Sequence, residues 1–492
     1  MSFNQFQDAT TIATMIQSGE MSAEEAVTLA LETIDQWNDA TNAVVYVRRE
    51  AALEEARSLA DFTKPFAGVP ILLKDMGQAM AGLPSTQASR LFKDHIATQT
   101  NYFVQSLLDA GFIVVGMTNA PEFGFKNQTD SKLYGDAHLP LDTTRTTGGS
   151  SGGSAAALLS GMVPIVAASD GGGSIRIPSS YNGLIGLKPT RARTAQGPGN
   201  YRGWAGASIS FALTRTMRDT ERLLLAIQTE QDASPYHVSK LTPTAIQTAK
   251  QKVQDLRIAY TPRHPFNDPV SPSVIESLNH TVQFLKQEGF NVTEVVPTID
   301  YDQVYQSYVL MNAFETAASL EAFGESRKKA LTKDEVEPFT WALYQFGLKL
   351  PGYRYPQSFH QWDAASEAMG QFHQSYDLLL EPTTTTVAPV IMDIRESTSL
   401  KERMTNAEKL SINELHTLIM DMFRIGQINT PFNWLYNLTG QPSISLPLGR
   451  GEEDLPLGLQ FTAKKACEDQ LLAIGYYLEE QGQFYQPKPE EK

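Results

Sequence analysis

Read for its apolar and polar positions, the chain changes texture three times. Ser22 with Glu25 matches a capping box, and Val27, Ala30, Leu31 and Ile34 follow at helical spacing, so residues 1–65 read as a helical segment. From there to about residue 300 short apolar runs alternate with helical periods. Strands are predicted at Val69–Leu73, Phe112–Met117, Pro164–Ala168, Leu184–Lys188, Leu256–Tyr260 and Asn291–Val296. Helices are predicted at Tyr102–Ala110, Ser154–Ser160, Arg222–Ile227 and Val274–Glu288. Such alternation predicts an α/β fold, a central sheet covered by helices on both faces. Between residues 301 and 425 helical periods dominate and aromatic residues crowd, among them Tyr305, Tyr308, Phe339, Trp341, Tyr353 and Trp362. Most are expected to pack in a core, and a few to line a substrate pocket. Sheet-like runs return at Leu378–Leu380, Ser443–Leu448 and Leu457–Phe461, before a closing helix at Asp469–Glu480. The pattern divides into 1–65, a core at 66–300, a helical insertion at 301–425 and a return to the core at 426–492.

Composition narrows the function classes. The net charge of -15 disfavours nucleic acid and an anionic membrane surface, both of which need clustered lysine and arginine. One cysteine, Cys467, excludes an internal disulfide and a thiolate metal cluster. No run approaches a membrane span, and the first twenty residues lack the pattern of a signal peptide, so a cytoplasmic protein is the expectation. The eight histidines are scattered, without a zinc-ligand spacing.

Three segments carry candidate chemistry. Asp170–Pro178 reads D-G-G-G-S-I-R-I-P; its glycines let the main chain approach a ligand, and their amides can form an anion-binding nest beside Ser174. A tight turn with an incidental serine is the bland alternative. Thr147–Ser154 reads T-G-G-S-S-G-G-S and leads into a helix. It lacks the G-K-[ST] of a phosphate loop, but fits G-x-S-x-G on Ser150 and on Ser151, which admits an esterase elbow paired with a histidine. Gly68–Asp75 reads G-V-P-I-L-L-K-D and sets Lys74 after an apolar run. There it is either a strand-end lysine reaching solvent or a desolvated amine able to act as a base. In an extended segment, Asp75 points to the opposite face.

Taken together, G-G-S-S-G-G-S-A-A-A at Gly148–Ala157, D-G-G-G-S-I-R-I-P, G-L-K-P-T at Gly186–Thr190, T-N-A-P-E at Thr118–Glu122, P-F-N-W-L-Y-N-L-T-G-Q-P at Pro431–Pro442 and L-P-L-G-L-Q at Leu455–Gln460 resemble the amidase signature family over nearly the whole chain. The layout is most similar to the 6-aminohexanoate-cyclic-dimer hydrolase group. The resemblance implies the family's fold and a Ser-Ser-Lys triad. Ser174 would be the nucleophile, Ser150 the relay serine after a cis Gly149–Ser150 bond, and Lys74 the base. The amides of Gly171, Gly172, Gly173 and Ser174 would form the oxyanion hole. Ser151 would support the hydrogen-bond network, and Asp170 and Arg176 would be structural charges beside the nucleophile loop. It implies hydrolysis of a small linear or cyclic amide through an acyl-enzyme, with no cofactor and no metal. A homodimer is a candidate assembly. Alternatives are the ammonia-releasing amidase component of a glutamine-dependent tRNA amidotransferase, whose tyrosine-rich Y-D-A-Y-Y motif has no counterpart here, and a non-catalytic scaffold. This chain departs from the family pattern at Gly171, where a larger residue is frequent, at Thr146-Thr147 before Gly148, which is without the frequent proline, and at Leu139-Pro140, in place of Asn-Pro.

Overall fold

The computed structural model describes residues 5–394 and 396–489. Among these residues eleven strands form one mixed sheet. They are β1 (Val44–Val47), β2 (Pro70–Lys74), β3 (Ile113–Thr118), β4 (Ile165–Asp170), β5 (Ile185–Lys188), β6 (Ile209–Thr214), β7 (Arg257–Tyr260), β8 (Asn291–Glu294), β9 (Leu378–Pro382), β10 (Ser443–Arg450) and β11 (Pro456–Ala463). Their spatial order is β1-β3-β2-β4-β6-β5-β10-β11-β9-β7-β8. β2 runs parallel to both β3 and β4. From β4 to β9 each neighbour is antiparallel, and β9, β7 and β8 are parallel again.

Every residue of β2, β3, β4, β5, β9 and β11 is buried. Strands without an exposed alternate position are strands covered on both faces, which is why these segments read as continuous apolar runs. Helices provide the cover. Ala23–Thr41 opens on the predicted capping box, with Ser22 accepting from Glu25 N and Glu25 reaching back to Ser22 N at 2.7 Å. Pro272–Gln287 carries proline in its first turn, where a missing N–H costs nothing. Gly152–Leu159 is buried along its whole length and packs on β4.

The predicted strands fall within a few residues of the observed ones. Helix Met217–Ile227 starts five residues before its predicted start, because the Thr216 hydroxyl accepts from Asp219 N at 3.3 Å and caps it there. Two strands of the sheet lie outside the predicted set. The edge strand β1 interrupts the N-terminal segment expected to be helical, and β6 lies in the middle of the sheet. The 301–425 stretch is built on long helices, Tyr301–Ser326, Pro338–Lys349, Arg354–Ser375 and Ile412–Gln427, but also contributes β9 to the sheet. Its aromatics mostly pack together: Tyr305, Phe339, Trp341, Tyr344, Phe346 and Trp362 belong to one buried cluster, whereas Tyr353 is exposed. Among the described residues no helix is long and apolar enough to cross a membrane.

Candidate active site

β2 and β4 are parallel neighbours, so their C-terminal ends open on the same edge of the sheet, where α/β proteins bind ligands. Their register pairs Leu72 with Val166; continued, it sets Lys74 beside Ala168. Gln78 ties the two ends together, accepting from Lys74 N at 2.7 Å and donating to Ala168 O at 2.9 Å. The Lys74 side chain is wholly buried, and its Nζ lies 2.7 Å from Ser150 Oγ and 3.1 Å from Ser169 Oγ. Burial pulls the amine's pKa down, with Asp170 partly opposing, to about 7. An unperturbed lysine at neutral pH is neutral in about one molecule of 2,500; a pKa lowered this far makes the neutral amine far more abundant. Asp75, the next residue, is turned away as strand alternation requires. It accepts from Thr86 N at 2.9 Å and from the Thr86 hydroxyl.

Ser150 follows a cis peptide bond from Gly149. At Gly149 a side chain has no room, since a Cβ would stand 2.6 Å from Gln128 N. Ser151 is fully buried, donates to Ser169 O at 3.2 Å and accepts from Ser169 N at 3.4 Å. It holds the glycine-rich run against β4.

Ser174 ends the loop that leaves β4, just ahead of the short helix Arg176–Tyr181. The loop is wrapped around the Asp170 carboxylate, which accepts from Gly173 N at 2.6 Å and Ile175 N at 3.2 Å. Arg176 meets the same carboxylate through Nε at 3.0 Å and Nη2 at 3.1 Å, and Asn437 Nδ2 adds a contact at 2.9 Å. Burial alone would push this acid's pKa up, but Arg176, Lys188 and Asn437 outweigh it and hold the group well below the usual carboxylate range. Arg176 is anchored in turn by Asn437 Oδ1 at 2.8 Å and by Gln460 Oε1, on β11, at 3.2 Å. Asp170 and Arg176 are thus a buried, fully bonded ion pair beneath the loop.

This network alters the expected donor set. The Gly173 N–H is directed into Asp170 and is not available to an oxyanion. Among the described residues the amides of Gly171, Gly172 and Ser174 have no partner in the protein. Gly172 is held to glycine by Tyr308, whose Oη a Cβ would overlap; the Tyr308 hydroxyl also donates to Gly171 O at 3.2 Å. At Gly171 a Cβ would meet nothing nearer than Ser208 at 3.8 Å, so a larger residue fits there without repacking.

Ser150, Ser169, Gly171, Gly172 and Ser174 line one cavity of about 440 Å³. No hydrogen bond joins the hydroxyls of Ser150 and Ser174 among the described residues; they share the cavity wall. Phe92, Phe123, Phe125, Trp204 and Phe423 supply apolar surface, and helix Tyr301–Ser326 supplies Tyr308, Asn312, Glu315 and Thr316. Of the aromatics in the 301–425 stretch, Tyr308 and Phe423 reach this cavity. An adjoining cavity of about 250 Å³ shares Phe125, Asn127, Gly172, Tyr308 and Phe423 as a wall, and Leu400, Met404 and Met422 line it.

Among the described residues no histidine lines either cavity. Ser151 bonds to a strand instead of facing the cavity, so the histidine-dependent esterase arrangement has no geometric support. Among the described residues no group of three or more His, Cys, Asp or Glu side chains is placed to hold a metal ion. The sequence reading missed Ser169, Gln78 and Asn437. The one local signal for Ser169 was a serine closing an otherwise apolar strand.

Comparison with known proteins finds relatives over nearly the whole chain. The model of the Amidase family matches residues 25–472. The lipoamidase of Enterococcus faecalis is 36% identical over 480 residues, which cover 98% of this chain but 64% of that enzyme's length. The 6-aminohexanoate-cyclic-dimer hydrolase of Pseudomonas sp. (strain NK87) is 29% identical over 483 residues, covering 96% of this chain and 94% of that one. A solved structure of 6-aminohexanoate cyclic dimer hydrolase superposes with a TM-score of 0.88 at 28% identity, covering 99% of both chains.

Proposed function

Because this chain belongs to the amidase family, we propose that it hydrolyses a carboxamide C–N bond through a seryl acyl-enzyme, with Ser174 as nucleophile, Ser150 as relay and Lys74 as base. One observation carries this reading. A wholly buried Lys74 amine lies 2.7 Å from Ser150 Oγ, and Ser150 opens on the same cavity as Ser174.

In the acylation step the neutral Lys74 amine takes the Ser150 proton as Ser150 takes the proton of Ser174. The Ser174 oxygen forms a bond to the substrate carbonyl carbon. The developing oxyanion would be met by the amides of Gly171, Gly172 and Ser174, which have no partner in the protein. Collapse breaks the C–N bond, and the proton returns through Ser150 to the departing nitrogen. Water then attacks the ester carbonyl along the same relay, releasing the carboxylic acid and restoring Ser174. Every proton taken is returned, and water is the one further reactant.

The cavity falls within the usual size of a small-molecule site and is largely apolar. That suits a small linear or cyclic amide. The names of the relatives, a lipoamidase and a cyclic-dimer hydrolase, fit the same class of substrate. Turnover of a panel of linear and cyclic amides, with Ser174→Ala as blank, tests the reading. Hydrolysis that disappears in both Ser174→Ala and Lys74→Ala is expected. Wild-type rates in either variant would contradict it.

A further inference from the structure

Helix Tyr301–Ser326 presents Tyr308, Asn312, Glu315, Thr316 and Ser319 to the catalytic cavity, a single stripe at helical spacing. Among the described residues Glu315 is the one charged side chain lining that cavity. Its recorded partner is the Tyr355 hydroxyl, which donates to Oε1 from the neighbouring helix Arg354–Ser375. Among the described residues no lysine or arginine forms an ion pair with it. Other charges around the two cavities are balanced. Lys126, on the adjoining wall, meets Asp130 at 3.2 Å, Glu337 at 3.1 Å and Glu396 at 3.5 Å, and Asp170 meets Arg176 at 3.0 Å.

A carboxylate left without a cation beside an apolar cavity favours a cation that enters the cavity, because the low dielectric there strengthens the attraction. Position along the helix sets the spacing. Tyr308 touches the nucleophile loop through Gly171 O. Glu315 lies seven residues further on, roughly 10 Å along the axis at 1.5 Å per residue. An aminoalkyl chain of several methylene groups bridges that distance, with its methylenes against Phe92, Trp204 and Leu320.

We propose that Glu315 binds a primary ammonium group of the substrate, so that the amide hydrolysed here carries a cation several methylene groups from the scissile carbonyl. This deepens the amide-hydrolase reading above and rests on it. The ammonium can belong to the acyl part, as in an ω-aminoacyl amide, or to the leaving amine, as in the monoamide of a diamine.

Four amides separate these cases. An ω-aminoacyl anilide and its ω-hydroxy counterpart form one pair; a monoacylated alkane diamine and its amino-alcohol counterpart form the other. In one pair the wild-type enzyme is expected to prefer the cationic member in kcat/KM by on the order of tenfold, mainly through KM. Glu315→Gln should bring that ratio close to one, and Glu315→Asp should restore part of it, which a purely structural role would not do. No preference in either pair, or a preference unchanged in Glu315→Gln, overturns the ammonium site while leaving the amidase reading intact. Failure of the wild-type enzyme to cleave any of the four contradicts both.

Discussion

Two lysines in this protein look alike until their neighbours are compared. Lys74 ends β2 and Lys188 ends β5; both side chains are buried, and burial is the main cause that lowers each pKa to about 7. Lys74 faces the hydroxyls of Ser150 and Ser169 at the edge of the cavity. Lys188 donates to Pro189 O at 3.0 Å and lies in the field of Arg176 and Asp170, away from the cavity lining. A depressed pKa therefore does not identify the base. The proposal of Lys74 as base rests on the hydroxyl beside it, which opens on a cavity.

The largest expected contrast comes from removing each amine in turn. Lys74→Met should lower kcat/KM by on the order of a thousandfold or more, whereas Lys188→Met should stay within about tenfold of wild type. Steady-state kinetics on one amide decides this, and equal losses would collapse the distinction.

Asp170 is the neighbour the two lysines share, and it raises the pKa of both. Asp170→Asn leaves Arg176 as an uncompensated buried charge, so a destabilisation of about 3–5 kcal/mol is expected in denaturant unfolding. In whatever folded protein remains, the acid limb of kcat/KM should move to lower pH, because Lys74 loses the carboxylate that supports its protonated form.

A smaller effect belongs to the second hydroxyl at Lys74. Ser169→Ala should cost roughly tenfold to a hundredfold in kcat, since it removes the contact that fixes the amine opposite Ser150. An unchanged kcat would show that Ser150 alone positions the amine.

The smallest contrast is in stability against pH. Each lysine has a folded pKa near 7, below the ordinary 10.5. Between those values the unfolded chain binds more protons than the folded one, so stability rises with pH across that window and is lost as pH falls towards 7. Thermal unfolding from about pH 7 to 10 should show a slope that Lys74→Met and Lys188→Met each flatten by a similar amount. The two residues should thus be equivalent in stability and different in catalysis.

How much of this was legible in the sequence follows from range. β2, β3 and β4 are buried on both faces, so their apolar runs stand out, and the capping box of Ser22 and Glu25 acts within one turn. The central strand β6, I-S-F-A-L-T, carries two hydroxyl residues in six. It is held as a strand by antiparallel pairing to β4 and β5, which local pattern does not encode. The roles proposed for Lys74, Ser150 and Ser174 rest on a family resemblance and not on local pattern. The contact between Lys74 and Ser169 spans 95 residues and needs the sheet order to exist. The same holds for the withdrawal of the Gly173 amide. It depends on Asp170 being trapped under the loop by Arg176 and Asn437, and Asn437 comes from 267 residues away.

The central claim is that the neutral Lys74 amine, acting through Ser150, makes Ser174 nucleophilic. The rate at which a fluorophosphonate modifies Ser174, followed from about pH 5 to 9, reports this directly, because it needs no leaving-group protonation. The rate should rise through an inflection near pH 7, vanish to background in Lys74→Met and keep its inflection in Lys188→Met. An inflection that survives Lys74→Met, or modification of a serine other than Ser174, would contradict the account.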